Sequence, residues 1–384
     1  MAMADSLARQ VPASEAAMTA NDSLRLKPYR KGTTLFHFHS WAPLHIDVDA
    51  RSVNPGFSLF SQNLLSTSFL SAGYEYLPSE DRGEWYLRYA YEGWLPRIGA
   101  EVRTGHRRGT APDNEGILRS YAWQETTLRA GADLPLRGTK GPWFLGVVPS
   151  VRYARTWLDM DDDSPFRFRR ETLNSTEYRI YGWRQMKAGR RDLQPRWAQV
   201  IDLNYRHDPW HTPAGHVLAA EAYLYAPGIA RHHGLLIYGG WQRVRSGSTN
   251  WPVFLRLPTG WSSHGEPELG SLSLDYRFPL SYPDWNLPGV IFLQRIKGGL
   301  FYERARGTYP NYTFDYTSIG GEIRIDAHLF RFLAPFDIGY RLAWRKGPDN
   351  LSGALVLAVD FTSFTAYRHA REPLQAGWQN GVGK

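Results

Sequence analysis

The chain has 384 residues, contains no cysteine and carries a formal charge of +8. The absence of cysteine excludes a disulfide scaffold, thiolate metal sites and cysteine nucleophiles. No run of about 20 apolar residues occurs, which excludes a helical membrane protein, whereas a membrane β-barrel exposes only alternate residues to lipid and stays compatible with the composition.

The N-terminal segment, residues 1–32, is polar and rich in small side chains. This composition predicts a disordered tail or linker. The segment lacks a basic stretch followed by an apolar one, so it is not a signal peptide as it stands. An exported protein needs such a signal, and we expect either that the signal has been removed or, preferably, that the chain is a fragment of a longer protein.

From residue 33 onward the chain alternates between strands and turns that contain Gly, Pro, Asp or Asn. Fourteen clear strands and two weaker ones, at 34–48 and 55–62, can be identified. The pattern predicts an all-β fold, a transmembrane antiparallel β-barrel of about 16 strands. The barrel is predicted to span residues 33–364, with a C-terminal tail at 365–384.

The strand at 319–329 shows the pattern most clearly, because isoleucines alternate with Glu322, Arg324 and Asp326. A period of two places the two sets on opposite faces of a sheet. Long apolar faces with aromatic ends favour a lipid-facing wall, and mixed charges on the other face suit a lumen. A soluble β-protein remains the alternative, since its strands also alternate.

Residues 353–361 read G-A-L-V-L-A-V-D-F and form the last predicted strand. A terminal strand that ends in an aromatic residue resembles the signal by which outer-membrane barrels are recognised for insertion. The residues of this strand that share the signal face are Gly353, Leu355, Leu357, Val359 and Phe361.

Few residues suggest catalytic or metal chemistry. The histidines His37, His39 and His45 could bind Zn²⁺ from one strand face, but polar lumen residues explain them more simply. Ser262 and Ser263 precede a histidine without a nucleophile elbow around them. The acidic run at 159–163 is best explained as a solvated loop. We therefore predict no catalytic residue, no cofactor and no metal, and we do not expect an enzyme; a barrel hydrolase is a less favoured alternative.

Three stretches near the C-terminus resemble, in their order and spacing, the closing strands of the bacterial surface antigen family. They read L-D-Y-R-F-P-L at 274–280, L-F-Y-E at 300–303 and S-I-G-G-E-I-R-I-D at 318–326. This superfamily comprises outer-membrane assembly factors and two-partner secretion transporters, with barrels of about 16 strands. The stretch before residue 45 also resembles the junction that leads into the barrel of Bacteroidota propeller-barrel proteins.

The family carries a loop with an Arg-Gly-aromatic signature that folds into the lumen, where its Arg meets an acidic residue. The matching loop at 247–267 contains F-L-R-L-P-T-G-W, and the resemblance implies that Gly260 and Trp261 match the signature and that Glu303 is the acidic residue. Thr259 stands in the Arg position and cannot form the paired charged hydrogen bonds of a guanidinium. Arg256 is the candidate replacement, and an ordinary surface loop is the alternative.

The resemblance implies a barrel in the bacterial outer membrane that serves as an assembly or translocation barrel or as a channel. A passive porin or small-solute transporter is the alternative. The expected partners are outer-membrane lipid and lipopolysaccharide, with a polypeptide substrate or an N-terminal periplasmic domain as further candidates. Basic residues are spread along the chain and form no compact run, so we expect no nucleic acid partner.

Overall fold

The computed structural model describes eleven stretches of the chain. These are residues 38–47, 52–77, 82–112, 118–160, 170–189, 191–210, 215–245, 255–263, 265–329, 336–346 and 350–359. Within them, eighteen strands form one antiparallel sheet. No helix among these residues is long and apolar enough to cross a membrane.

The strands follow one another along the chain and pair mainly with their sequence neighbours. The first nine are β1 Phe38–Asp47, β2 Ser52–Gln62, β3 Ser68–Leu77, β4 Arg82–Tyr91, β5 Arg97–Pro112, β6 Leu118–Asp133, β7 Leu136–Lys140, β8 Trp143–Met160 and β9 Arg170–Met186. The other nine are β10 Ala198–His207, β11 His216–Pro227, β12 Gly234–Arg245, β13 Glu268–Ser281, β14 Trp285–Leu287, β15 Ile291–Thr308, β16 Thr313–Leu329, β17 Phe336–Arg345 and β18 Leu351–Val359.

Two of the strands are short continuations of their predecessors. β6 and β7 both pair with β8, and β13 and β14 both pair with β15. The sheet therefore has sixteen consecutive strand positions. The predicted antiparallel barrel of about 16 strands is confirmed as this barrel-like sheet, and the two weaker predicted strands correspond to β1 and β2.

The two edges of the sheet approach each other, because residues of β18 come near residues of β2. No residue-by-residue ladder joins β1 to β18 over the described residues. Because the number of positions is even, the start of β1 and the end of β18 lie at the same end of the wall. We call this the terminal end, and we call the opposite end, which carries the connection between β12 and β13, the loop end.

The faces of the wall have the reverse of the polarity of a soluble protein. Outward-facing Leu300 and Ile323 are each 60% exposed, and Leu355 is 76% exposed. Inward-facing Asp275 and Glu303 are each only 2% exposed. Apolar side chains outside and buried charges inside are the arrangement of a wall that contacts lipid.

The predicted tails lie outside the described residues. The structure describes nothing before Phe38 or after Val359. The predicted boundaries at residues 32 and 364 therefore stay predictions.

Candidate functional site: a loop bound to the inner face

The connection between β12 and β13 brings a segment of loop against the inner face. We call its described part, residues 255–263, the lumen loop. Its central contact is with Glu303 on β15, which accepts hydrogen bonds from Arg256 Nη2 at 2.8 Å and from the backbone N–H of Thr259 at 2.6 Å. One carboxylate thus binds both a loop side chain and the loop backbone.

Glu303 and Asp275 share two guanidinium groups. Arg256 Nη1 lies 3.2 Å from Asp275 Oδ2. Arg341, an inward-facing residue of β17, donates from Nη2 to Glu303 Oε1 at 2.7 Å and to Asp275 Oδ1 at 3.2 Å. Its Nη1 donates to Glu322 on β16 at 3.2 Å, and its guanidinium lies 3.6 Å from the centre of the Phe301 ring. We call the charged members of this cluster the anchor network; they are Arg256, Asp275, Glu303, Glu322 and Arg341.

The tip of the lumen loop is bound to β16 and β17 by backbone-directed hydrogen bonds. Ser318 Oγ donates to the carbonyl oxygen of Thr259 at 2.8 Å. Arg345 Nη1 donates to the carbonyl oxygen of Gly260 at 2.7 Å. Gly260 has a φ of +84°, a conformation that glycine adopts without strain. The tip therefore has one specific geometry against the wall.

Trp261 fixes the far side of the tip through both its polar and its apolar surface. Its Nε1 donates to the carbonyl oxygen of Thr317 at 3.2 Å, and its ring meets that of Tyr316 edge-to-face at 5.3 Å between centroids. Tyr316 is 1% exposed and belongs to a small apolar cluster with Leu255 and Leu269. Apolar burial thus adds to the ionic contacts of the loop.

The residues that the sequence singled out in this loop lie together in the structure. Arg256, Thr259, Gly260 and Trp261 all contact the inner wall, and the first two contact Glu303. Thr259 binds Glu303 through its backbone N–H. The guanidinium groups that a threonine side chain lacks are supplied by Arg256 of the loop and Arg341 of the wall. Sequence reasoning missed Arg341, although its inward parity on β17 was available as a signal.

Two other basic residues on the same strand as Glu303 have partners of their own. Lys297 Nζ lies 2.7 Å from Asp326 Oδ1 and 3.0 Å from Asp337 Oδ2, and Arg295 also binds Asp326. They form a charged cluster nearer the terminal end, which Arg324 joins to the anchor network through its contacts with Asp337 and Glu322.

The last predicted strand, the insertion-signal strand, forms β18. Gly353 and Leu355 are exposed on the outward face. Leu357 and Val359 lie within the strand bounds, but their side chains are outside the described set, as is Phe361 altogether.

Among the described residues, those considered for metal or nucleophile chemistry are not assembled into a site. No group of three metal-binding side chains occurs among the described residues. His37, His264 and residues 161–163 lie outside the described residues, and so does the side chain of His45. Ser263 Oγ donates to Glu266 Oε2 at 2.5 Å and closes a turn of the loop.

A second segment reaches the inner face from the terminal end. We call residues 191–197, between β9 and β10, the strap. Tyr282 Oη donates to the carbonyl oxygen of Arg191 at 2.9 Å. Arg295 Nη1 donates to the carbonyl oxygen of Asp192 at 3.2 Å. These partners are 91 and 103 residues away in sequence, so the strap extends along the wall from β9 to β15.

The strap has one side-chain contact with His232, at the turn between β11 and β12. Asp192 Oδ1 lies 2.9 Å from His232 Nδ1, and Asp192 Oδ2 accepts from the backbone N–H of Gly189 at 2.8 Å. Burial raises the pKa of the Asp192 carboxyl, but the contacts with His232 and Gly189 outweigh it, so the pKa lies below its ordinary value.

The strap also packs against the inner wall through Gln194. Gln194 is 7% exposed and packs against Gly234, where an added Cβ would meet the Gln194 side chain at 2.4 Å. Beyond it lies a buried cluster of inward-facing aromatic and aliphatic residues. Its members are Val148, Tyr181, Trp183, Ala198, Val200, Tyr223, Tyr225, Leu236 and Tyr238. An open, water-filled lumen would leave such side chains exposed.

No family model and no curated protein matches the sequence. Among solved structures, the fold is similar to that of CdiB from Escherichia coli, with a TM-score of 0.52 and 14% sequence identity, over 82% of this chain and 61% of that chain. It is also similar to BamA from Haemophilus ducreyi lacking POTRA domains 1-3, with a TM-score of 0.52 and 11% identity, over 80% of this chain and 68% of that one.

The chain thus spans about three fifths of the length of the CdiB chain that it matches. At these identities the similarity establishes the fold, which is an antiparallel barrel of the kind found in CdiB and BamA.

Proposed function

We propose that this chain is the membrane-embedded barrel of an outer-membrane assembly or translocation protein of the bacterial surface antigen superfamily. The observation that carries the proposal is the lumen loop, bound to Glu303 on the inner face of a barrel with the fold of CdiB and BamA. The order of the closing-strand motifs at 274–326 supports the same superfamily.

The energetics of the anchor network favour a positioned loop over a surface loop. Removing Arg256, Asp275 and Glu303 from water is costly, and only close pairing offsets that cost. The two carboxylates are each 2% exposed, and the guanidinium is 28% exposed. Charges buried in this way define one position of the loop, which suits a lumen that must stay closed until a substrate arrives.

The proposal places the chain in the outer membrane, with lipid around its outer face. Its substrate would be a polypeptide, and an N-terminal periplasmic domain or propeller would adjoin the terminal end, where β1 begins. Catalysis is not part of the proposal. Ser263, the best placed serine, donates its hydroxyl hydrogen to Glu266 rather than to a histidine.

The closed lumen can be tested by conductance in planar bilayers. We expect wild-type protein to show small, flickering conductance, and a variant that lacks residues 255–263 to show a large, steady one. Glu303→Gln should lie between them, because it leaves the loop in place without its central carboxylate. A matched control is Asp315→Asn, which removes an exposed carboxylate on the outer face and should conduct like wild type.

The substrate class needs a separate measurement. An unfolded outer-membrane polypeptide carrying a fluorophore should bind the wild-type barrel in lipid vesicles, and deletion of 255–263 should change its affinity. A steady wild-type conductance that is insensitive to the loop deletion, together with no polypeptide binding, would contradict the proposal. That result would favour the alternative, a passive porin or small-solute transporter.

A further inference from the structure

Over the described strand positions between β10 and β17, charged side chains on the outer face are confined to one end of the wall. Four arginines point outward there, two on β12 and two on β15. We call them the arginine band; they are Arg243, Arg245, Arg304 and Arg306. Over the described outward-facing positions of these strands, the terminal end carries no charged residue.

The sheet register brings the four arginines into one patch. β12 and β15 both pair with β13, so two strand spacings of about 5 Å each separate them. Within each strand the two arginines lie two residues apart, which is about 7 Å. The guanidinium groups therefore flank β13 on both sides, with Arg243 beside Glu268 and Arg306 beside Gly270, so that these two arginines are the nearest pair across β13.

The band begins where the apolar surface ends. Leu272 of β13 is the direct neighbour of Arg304 in the ladder. Leu272 and Leu300 are 45% and 60% exposed, and Leu274 continues the apolar surface away from the band. A molecule bound by the arginines would contact an apolar surface on one side of the band and water on the other.

Two acidic residues lie in the same region and neutralise part of the charge. Asp315 accepts from Arg306 Nε at 2.9 Å and from Arg304 Nη2 at 3.5 Å, and Glu268 accepts from Trp241 Nε1 at 2.9 Å. With four arginines against two carboxylates the patch retains a positive excess. The Asp315 pairs are about half exposed, so they are weak and leave the arginines available to a more highly charged ligand.

We propose that the arginine band binds the phosphate groups of a phosphorylated lipid in the leaflet at the loop end. This rests on the proposed function only in that the barrel spans a membrane. The acyl chains would lie along the exposed leucines, while the phosphates accept paired hydrogen bonds from the guanidinium groups. The restriction of the charge to one end fits a bilayer whose two leaflets differ in phosphate content. A soluble polyanion would gain nothing from the adjoining apolar wall.

The test is a titration of detergent-folded protein with a bisphosphorylated glycolipid, with the dephosphorylated form of the same lipid as reference. Arg243→Gln/Arg245→Gln and Arg304→Gln/Arg306→Gln should each weaken binding about tenfold or more. Arg184→Gln is the matched control, because Arg184 is exposed on β9 near the terminal end, over the Trp143 ring, and its loss should leave affinity unchanged.

A second variant distinguishes a direct effect on lipid binding from an effect of misfolding. Glu268→Gln/Asp315→Asn removes the competing carboxylates and should tighten binding several-fold, a gain that damage to the fold would not produce. Circular dichroism confirms that each variant is folded.

Wild-type affinity in both arginine variants would overturn the proposal, as would equal affinity for the dephosphorylated lipid. Binding of inorganic pyrophosphate as tight as that of the lipid would assign the band to soluble anions and overturn it too. The titration requires only a folded barrel, so it can succeed even where the conductance and polypeptide measurements fail, and fail where they succeed.

Discussion

The lumen loop and the strap reach the inner face from opposite ends, and different chemistry holds them there. The loop is bound through Arg256 to two carboxylates that are each 2% exposed. The strap is bound mainly through its backbone carbonyl groups, and the side chains of its Asp192–His232 contact are 14% and 34% exposed.

This difference indicates how firmly each segment is held against the inner face. Removal of one partner from a buried pair leaves an uncompensated charge and costs about 3–5 kcal/mol, whereas a partly exposed pair contributes about 0.2–1 kcal/mol. We therefore expect the loop to stay in place under conditions that release the strap.

The largest effect should come from Glu303→Gln. Glu303 Oε1 accepts from both Arg256 and Arg341, so the substitution leaves the buried Arg341 and the partly exposed Arg256 short of a carboxylate. We expect the free energy of unfolding to fall by about 3–5 kcal/mol, measured by denaturant titration of the protein in lipid. The control Asp315→Asn removes an exposed ion pair and should cost about 1 kcal/mol or less. Equal losses in the two variants would contradict the ranking.

The next largest loss of stability is expected from Gly260→Ala. Its comparison with Gly265→Ala separates the cost of backbone strain from the cost of packing at the loop tip. Gly260 and Gly265 have φ values of +84° and +79°. An added Cβ at Gly260 meets Ser352 Cβ at 2.6 Å, while the same atom at Gly265 meets nothing within 4 Å. Gly265→Ala should therefore cost about 1–2 kcal/mol of strain, and Gly260→Ala should cost about 1–3 kcal/mol more.

The position of the tip can be measured along with its stability. The chain has no cysteine, so Ser262→Cys introduces a single thiol beside the tip. Gly260→Ala should speed the labelling of this thiol, because the added Cβ does not fit against β18 and the contacts of Trp261 with the wall are weakened. If Gly265→Ala speeds labelling equally, strain rather than packing controls the tip.

The strands and their faces could be predicted from sequence because a period of two is a local property. The alternation at 319–329 is enough to place Glu322 inside and Ile323 outside, and both lie there. The loop contact was harder, since it needed a family signature and the chemical reason why Thr259 cannot replace an arginine. Arg341 was missed because its approach to Glu303 depends on the curvature of the wall across three strands.

The strap and the arginine band were not predictable from the sequence alone. Asp192 and Arg295 are 103 residues apart, and nothing in either local sequence marks the other. The band depends on register, because only the pairing of β12 and β15 with β13 brings Arg243 near Arg306. Both features arise from the geometry of the sheet rather than from a motif.

A smaller effect should follow pH at the strap. The pKa of Asp192 is depressed in the folded protein, so its contribution is complete above the ordinary carboxyl pKa of about 3.9 and is lost as the pH falls through the depressed value. Gln194→Cys places a thiol where the side chain is 7% exposed. Above about pH 4, we expect this thiol to be labelled more slowly in the Gln194→Cys protein than in the Gln194→Cys/Asp192→Asn double variant.

At lower pH the two labelling rates should converge, because protonated aspartate and asparagine are both neutral. The ratio of the rates cancels the titration of the thiol itself. A ratio that stays constant across this range would show that the Asp192–His232 pair does not hold the strap.

The smallest effect should come from Tyr282→Phe. The substitution removes the hydroxyl that donates to the carbonyl oxygen of Arg191 and keeps the ring, over which the Arg191 guanidinium lies at 5.7 Å. A neutral hydrogen bond contributes about 0.5–1.5 kcal/mol, so thiol labelling at Gln194→Cys should rise by about tenfold at most. Because the described residues of the strap and the loop share no direct hydrogen-bond partner, labelling at Ser262→Cys should not change. A change at both sites would mean that the two closures are coupled and that the loop cannot be held closed without the strap.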